Sequence, residues 1–246
     1  MNSAEDALLG GRVRLLQGKV GYRAAIDPVL LAAAIPARAG QRVLDLGCGV
    51  GGASLCLAAR IAGLKLSGLD VQPHLVELAQ QNAALNGCAG TVRFFAGDIL
   101  DPPADIVGET FDHVMVNPPF LEAGSGHPPP DLSKAIANIE GTARLTDWLR
   151  AASLAVADKG SVSFIHRADR IDDLLAAFHG VFGAIVVFPL WPGQGRSAKR
   201  VIVSGRKGVD SPAQISPGLT LHESDGSFTV AAHAILQDGA ALTLKA

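Results

Sequence analysis

The sequence predicts an α/β fold, a mostly parallel seven-stranded sheet with helices on both faces. Three observations carry this. Short apolar β-type runs alternate with helical patterns through the centre of the chain, as β-α-β units require. Val43-Leu44-Asp45-Leu46 runs directly into Gly47, Gly49, Gly51 and Gly52, after which Ala53 to Ile61 takes helical spacing: a buried strand, a tight turn and a helix. Hydrophobic residues make up 48% of the 246 and charged residues 18%, enough apolar material for one large core and nothing that reads as disordered.

The elements follow in order. Arg42 to Leu46 is the first strand and Lys65 to Asp70 the second. Pro73 opens a helix in which Leu75, Leu78, Ala79 and Ala83 share a face, and Gly87 stops it just past Asn86. Thr91 to Phe95 and Phe111 to Val116 are strands three and four. Leu121 to Asp131 holds two glycines and three prolines and reads as an irregular loop. Leu145, Trp148, Leu149 and Ala152 form one apolar helical stripe, Ser161 to His166 the fifth strand, and Ile171, Leu174, Leu175 and Phe178 a second stripe. Ala184 to Leu190 and Arg200 to Ser204 make a closing pair joined through residues 191–195. Residues 41–208 are thus the expected domain, with extensions over 1–40 and 209–246.

A net charge of −2 supplies no general field for polyanions. Nucleic-acid contact would need local patches. Arg12, Arg14, Lys19 and Arg23 form one cluster, and Arg196, Lys199, Arg200, Arg206 and Lys207 another; folding could merge them into one basic face or leave them as ordinary solvated charge. The three cysteines, Cys48, Cys56 and Cys88, lack metal-ligand spacing, so no metal is expected, and their odd number suits a reducing compartment. With no leader-like start and no apolar stretch of bilayer length, the expectation is a cytoplasmic protein without membrane contact.

Chemistry enters with the glycine turn. Gly47, Gly49 and Gly52 satisfy G-x-G-x-x-G, which serves nicotinamide cofactors and S-adenosylmethionine alike. Asp45 tips the balance: an acid ahead of the glycines suits an ammonium and a sulfonium and repels a pyrophosphate. Asp70, at the end of the second strand, is placed for ribose hydroxyls, and Asp98, after the third, for an adenine amino group, although each singly could be a turn or helix cap. The discriminating motif is Asn117-Pro118-Pro119-Phe120, directly after the fourth strand and at the ligand edge of the sheet.

Together these motifs resemble the class I S-adenosylmethionine-dependent methyltransferases that modify amino groups, with their Rossmann-like fold. Within that class, Gln17 to Leu31, the phenylalanine form N-P-P-F and Ala198-Lys199-Arg200-Val201 resemble the tRNA adenine N6-methyltransferases that act beside the anticodon of a valine tRNA. The resemblance implies a catalytic corner of Asn117, Pro118, Pro119 and Phe120. It implies S-adenosylmethionine, leaving as S-adenosylhomocysteine, held by Arg23, Asp27, Asp45, Gly47, Cys48, Gly49, Gly51, Asp70, Val71, Asp98, Ile99 and Asn117. Asp27 reads equally as a helix N-cap. The resemblance also implies an N-terminal hairpin and helix over the cofactor, a C-terminal hairpin at Leu219 to Glu223 and Phe228 to Val230, and an acceptor in tRNA.

Physically, an exocyclic amino nitrogen is a poor nucleophile because its lone pair is delocalised. Acceptors at Asn117 and the Pro118 carbonyl would take its two N–H bonds and turn the lone pair toward the methyl group, while Phe120 stacks on the ring. No histidine need act, so His113, His127 and His166 are structural or incidental. Guanine N2 in rRNA and a protein glutamine are alternative acceptors. A non-catalytic cofactor- or RNA-binding module and a nicotinamide oxidoreductase are readings of other classes; the N-P-P-F corner disfavours the first and Asp45 the second.

Overall fold

The computed structural model describes residues 3–18, 26–119 and 143–244; Arg23, Phe120, His127 and the Leu121 to Asp131 stretch lie outside them. An antiparallel hairpin of β1 (Ser3–Leu8) and β2 (Val13–Gly18) precedes helix α1 (Ile26–Ala34). The central alternation then runs β3 (Arg42–Leu46), α2 (Gly52–Arg60), β4 (Lys65–Asp70), α3 (Pro73–Leu85), β5 (Val92–Ala96), α4 (Ala104–Val107) and β6 (Phe111–Val116). After the undescribed stretch come α5 (Leu145–Ala155), β7 (Val156–Arg167), α6 (Ile171–Phe178), β8 (Phe182–Gly193) and β9 (Arg200–Lys207). Two short strands, β10 (Gln214–Ile215) and β11 (Leu219–His222), and helix α7 (Val230–Leu236) complete the chain.

All seven expected strands form, and β3 to β8 run parallel with β9 reversed between β7 and β8. The expected count of seven is exceeded: β10 and β11 pair one after the other with the outer edge of β8, giving a nine-stranded sheet. They cover hydrogen-bonding groups that a twelve-residue edge strand would otherwise leave open. The expected C-terminal hairpin is correspondingly reduced. Leu219–His222 lies parallel to β8, its return is a single bridge between His222 and Phe228, and Val230 already begins α7.

Both sheet faces are buried, which is why the strands read as continuous apolar runs. One face packs on α1, α2, α3 and α7 through residues such as Leu30, Val43, Leu55, Leu66 and Ile235. The other packs on α5 and α6 through Leu44, Leu46, Val116, Leu149, Phe164 and Phe178. Leu44 and Val43 are neighbours on β3 yet belong to opposite layers, the period of two expected of a strand.

The hairpin is fastened to α3 by two asparagines one helical turn apart. Asn82 accepts from Leu16 N–H at 2.7 Å and donates to the Leu16 and Val50 carbonyls at 2.9 and 3.0 Å. Asn86 repeats the pattern on Arg14, accepting at 2.9 Å and donating at 2.7 Å. The side-chain amides thus continue the ladder of an edge strand, and Asn82 ties that strand to the glycine turn between β3 and α2.

Candidate active site

Parallel register assembles the site. Leu46 is level with Val116 on one side and Leu69 on the other. The next residue on each strand, Asn117, Gly47 and Asp70, therefore emerges at one level along the carboxyl edge. Adjacent strands lie about 4.8 Å apart, so Asn117 and Asp70 flank the glycine turn across roughly 10 Å. This is the crevice at which open α/β sheets bind ligands.

The glycines of the turn have different reasons to be glycine. Gly47, Gly49 and Gly51 all take positive φ, at 73°, 54° and 86°. A Cβ at Gly47 would stand 2.8 Å from the Trp148 ring, and one at Gly51 would stand 2.7 Å from the Phe94 ring. Two positions are therefore small to admit protein rings. Only Gly49 faces open space, with nothing within 4 Å of its missing Cβ, and that space is where a ligand has room.

Asp45, two residues before Gly47 on β3, is buried and accepts a hydrogen bond from Ser54 Oγ at 2.7 Å. Burial pushes its carboxyl up to about 7, opposed by the Ser54 hydrogen bonds and reinforced by the nearby Asp70 charge. Asp70 is also raised, chiefly by burial, although Oδ1 accepts from Gln72 N–H and Oδ2 from Gly49 N–H, each at 2.9 Å. A cation brought to the turn would favour the ionised form of both carboxyls. Val71, just past Asp70, is 62% exposed, a largely open apolar surface.

The remaining expected residues divide. Asp98 and Ile99 lie half-buried past β5; Asp98 Oδ1 accepts from Leu100 N–H at 2.9 Å in an Asx turn, as the capping alternative required. Cys48 is buried, and its thiol is pushed well above the ordinary range by burial and by Asp45 and Asp70, so it offers no thiolate. Asp27 falls inside α1 rather than at its cap and pairs with Arg200 Nε at 2.9 Å, joining α1 to β9. Asn117 and Pro119 are half-buried and Pro118 is buried. His113 is bonded to Ser161 Oγ and Gln41 near the opposite, amino edge of the sheet, away from this crevice.

The second basic cluster divides between the two edges of the sheet, while Lys19 and Arg23 of the first lie outside the described residues. Arg196, Lys199 and Arg200 stand at the carboxyl edge with Asn117, whereas Arg206 and Lys207 end β9 at the amino edge, about 24 Å away at strand rise. There Arg206 donates to the Lys159 carbonyl and Lys207 to the Ser153 and Val156 carbonyls at the end of α5. Arg14 pairs with Glu5 and sits beside Asn86 at the far end of α3.

Sequence reading missed Ser54, which supports Asp45, and took Trp148 for plain core. Ser54 carried no signal, being one small polar residue in an apolar helix.

Residues 24–129 match the family model described as the methyltransferase small domain. The match takes in the glycine turn, Asp70, Asp98 and the Asn117-Pro118-Pro119 corner. A protein of Porphyromonas gingivalis named tRNA1(Val) (adenine(37)-N6)-methyltransferase is 34% identical over 54% of this chain. The match covers 52% of that relative, so the chain spans about half its length. One of the same name from Actinobacillus pleuropneumoniae is 27% identical over 87% of this chain and 88% of its own. The crystal structure of a predicted O-methyltransferase from Agrobacterium tumefaciens superposes with a TM-score of 0.72 at 24% identity, covering 88% of this chain and 98% of that one.

Proposed function

We propose that the chain transfers a methyl group from S-adenosylmethionine to an exocyclic amino nitrogen, and that the acceptor is adenine N6 in tRNA. The observation that carries the reading is the line-up of Asn117, Gly47 and Asp70 at one level of the sheet edge. It puts an amide acceptor pair on one side of an open glycine turn and a carboxylate on the other. The names of the two bacterial relatives support the adenine acceptor.

The donor fits the residues present. The open space at Gly49 admits it, Asp45 supplies a counter-charge for its ammonium, Asp70 has lone pairs left for ribose hydroxyls, and exposed Val71 offers an apolar surface for adenine. When bound, the sulfonium supplies an electrophilic methyl group. The chain itself orients: Asn117 Oδ1 and the Pro118 carbonyl take the two amino N–H bonds of the acceptor. Prolines at 118 and 119 fix φ, so the corner keeps its direction without ordering a flexible segment. The stacking role that the resemblance assigns to Phe120 falls outside the described residues. The N-terminal hairpin, held to the turn through Asn82, is the cover of the donor side.

The test is Asn117→Ala assayed with labelled donor on RNA and protein fractions separately. Label is expected in tRNA adenine with the native chain, and a loss of about 100-fold or more in kcat with the variant. Full transfer by Asn117→Ala sinks the mechanism; label in protein glutamine or rRNA guanine sinks the acceptor.

A further inference from the structure

Trp148 stands in the first turn of α5, where Leu145, Leu149 and Ala152 are buried. Helical spacing makes it one more member of that apolar stripe. Two observations separate it from them. Its six-membered ring lies on the first glycine of the turn, so close that a Cβ at Gly47 would stand 2.8 Å from Cη2 and 3.0 Å from Cζ3. Its Nε1 is buried and has no hydrogen-bond partner among the described residues. Tryptophans enclosed in a fold ordinarily find a partner for the indole N–H, because an unmade bond there costs free energy. The contact with Gly47 uses only the far edge of the six-membered ring, so it leaves the unpartnered indole N–H unexplained.

We propose that Trp148 is a donor-binding residue whose indole N–H donates to the carboxylate of the methionine part of S-adenosylmethionine. This rests on the turn being the donor site. The donor brings an ammonium, a sulfonium, ribose hydroxyls and one carboxylate. Asp45 and Asp70 suit the first three and repel the last. Asp45 and its partner Ser54 lie on the α2 side of the sheet, whereas Trp148 reaches the turn from the α5 side. The geometry therefore gives the carboxylate a neutral donor on the side away from the acids, and a hydrogen bond to an ionised acceptor is of the stronger kind.

The chain holds two tryptophans, and the other, Trp191, donates to the Pro217 carbonyl at 3.0 Å on β8. In a Trp191→Phe background, indole emission reports on Trp148 alone. Titration with S-adenosylhomocysteine is expected to shift that emission saturably. In parallel, calorimetry of Trp148→Phe is expected to show affinity for S-adenosylhomocysteine reduced about tenfold or more, and affinity for its decarboxylated analogue unchanged. A silent Trp148 at saturation, no loss in the variant, equal losses for both compounds, or weakened RNA binding alone would each overturn the assignment. Failure of the native chain to bind S-adenosylhomocysteine at all would instead sink the proposed function, so the two failures are distinct.

Discussion

Ser54 Oγ sits 2.7 Å from Asp45 Oδ2, and even with this donor the buried carboxyl is pushed up to about 7 from its ordinary 3.8. Between those values the folded chain holds a proton that the unfolded chain has lost. Asp45 therefore contributes stability on the acid side that fades as pH rises from about 4 through about 7. A cationic donor reverses the preference by favouring the ionised form. Donor affinity is expected to climb from pH 5 to 7 and level off above, with close to one proton released on binding at pH 6 and none at pH 8.5. Calorimetry in two buffers of different ionisation heat reads this directly. Asp45→Asn should flatten the pH dependence; a native chain that releases no proton at pH 6 contradicts it.

Gly49 and Gly47 make a contrasting pair. Gly49→Ala meets no neighbour and pays only for its positive φ, about 1 kcal/mol, while filling the space assigned to the donor. Gly47→Ala drives a methyl into the Trp148 ring and should cost roughly 2–4 kcal/mol. Thermal melts should rank Gly47→Ala well below Gly49→Ala, whereas Gly49→Ala should lose donor affinity at least tenfold by the arithmetic of a blocked contact. Tight donor binding by Gly49→Ala would remove the donor from that space.

Asn82 is a second load-carrying amide. Truncation to alanine strands Leu16 N–H and the Leu16 and Val50 carbonyls, at a cost of roughly 3 kcal/mol and a Tm fall of roughly 6–12 °C. Asn86→Ala, near the surface, should cost roughly 1 kcal/mol. Limited proteolysis should then cut the hairpin of Asn82→Ala first. Equal melting of the two variants would show that the buried clamp adds nothing.

If RNA is the acceptor, Arg196 and Lys199 at the carboxyl edge are the cations that meet it, being exposed and level with the crevice. Neutralising both should lower the slope of log affinity against log salt by about 1.4–1.8. Arg206→Ala, at the opposite edge, should leave the slope alone. Matching slopes for the double variant and Arg206→Ala would move the RNA off this edge.

The order of strands, the glycine turn and the corner at Asn117 were legible because each is local: apolar period, positive-φ glycines and proline punctuation act within a few residues. Strand ends were less so. β7 and β8 run to twelve residues each, beyond the apolar stretches at Ser161–His166 and Ala184–Leu190, because pairing to a neighbour extends a strand past the point where its own side chains demand burial. β10 and β11 exist only as partners of β8 and left no pattern of their own.

By itself, then, the amino-acid order determined the α/β class, the acids at strand ends and the asparagine-proline corner. Tertiary structure alone decided that Gly47 and Gly51 admit rings while Gly49 stays open, that Ser54 serves Asp45, that Trp148 lies on the turn, and that the later basic cluster is divided between opposite edges of the sheet. The reason is distance along the chain. Trp148 and Gly47 are 101 residues apart, and only the register of the sheet and the packing of α5 bring them together.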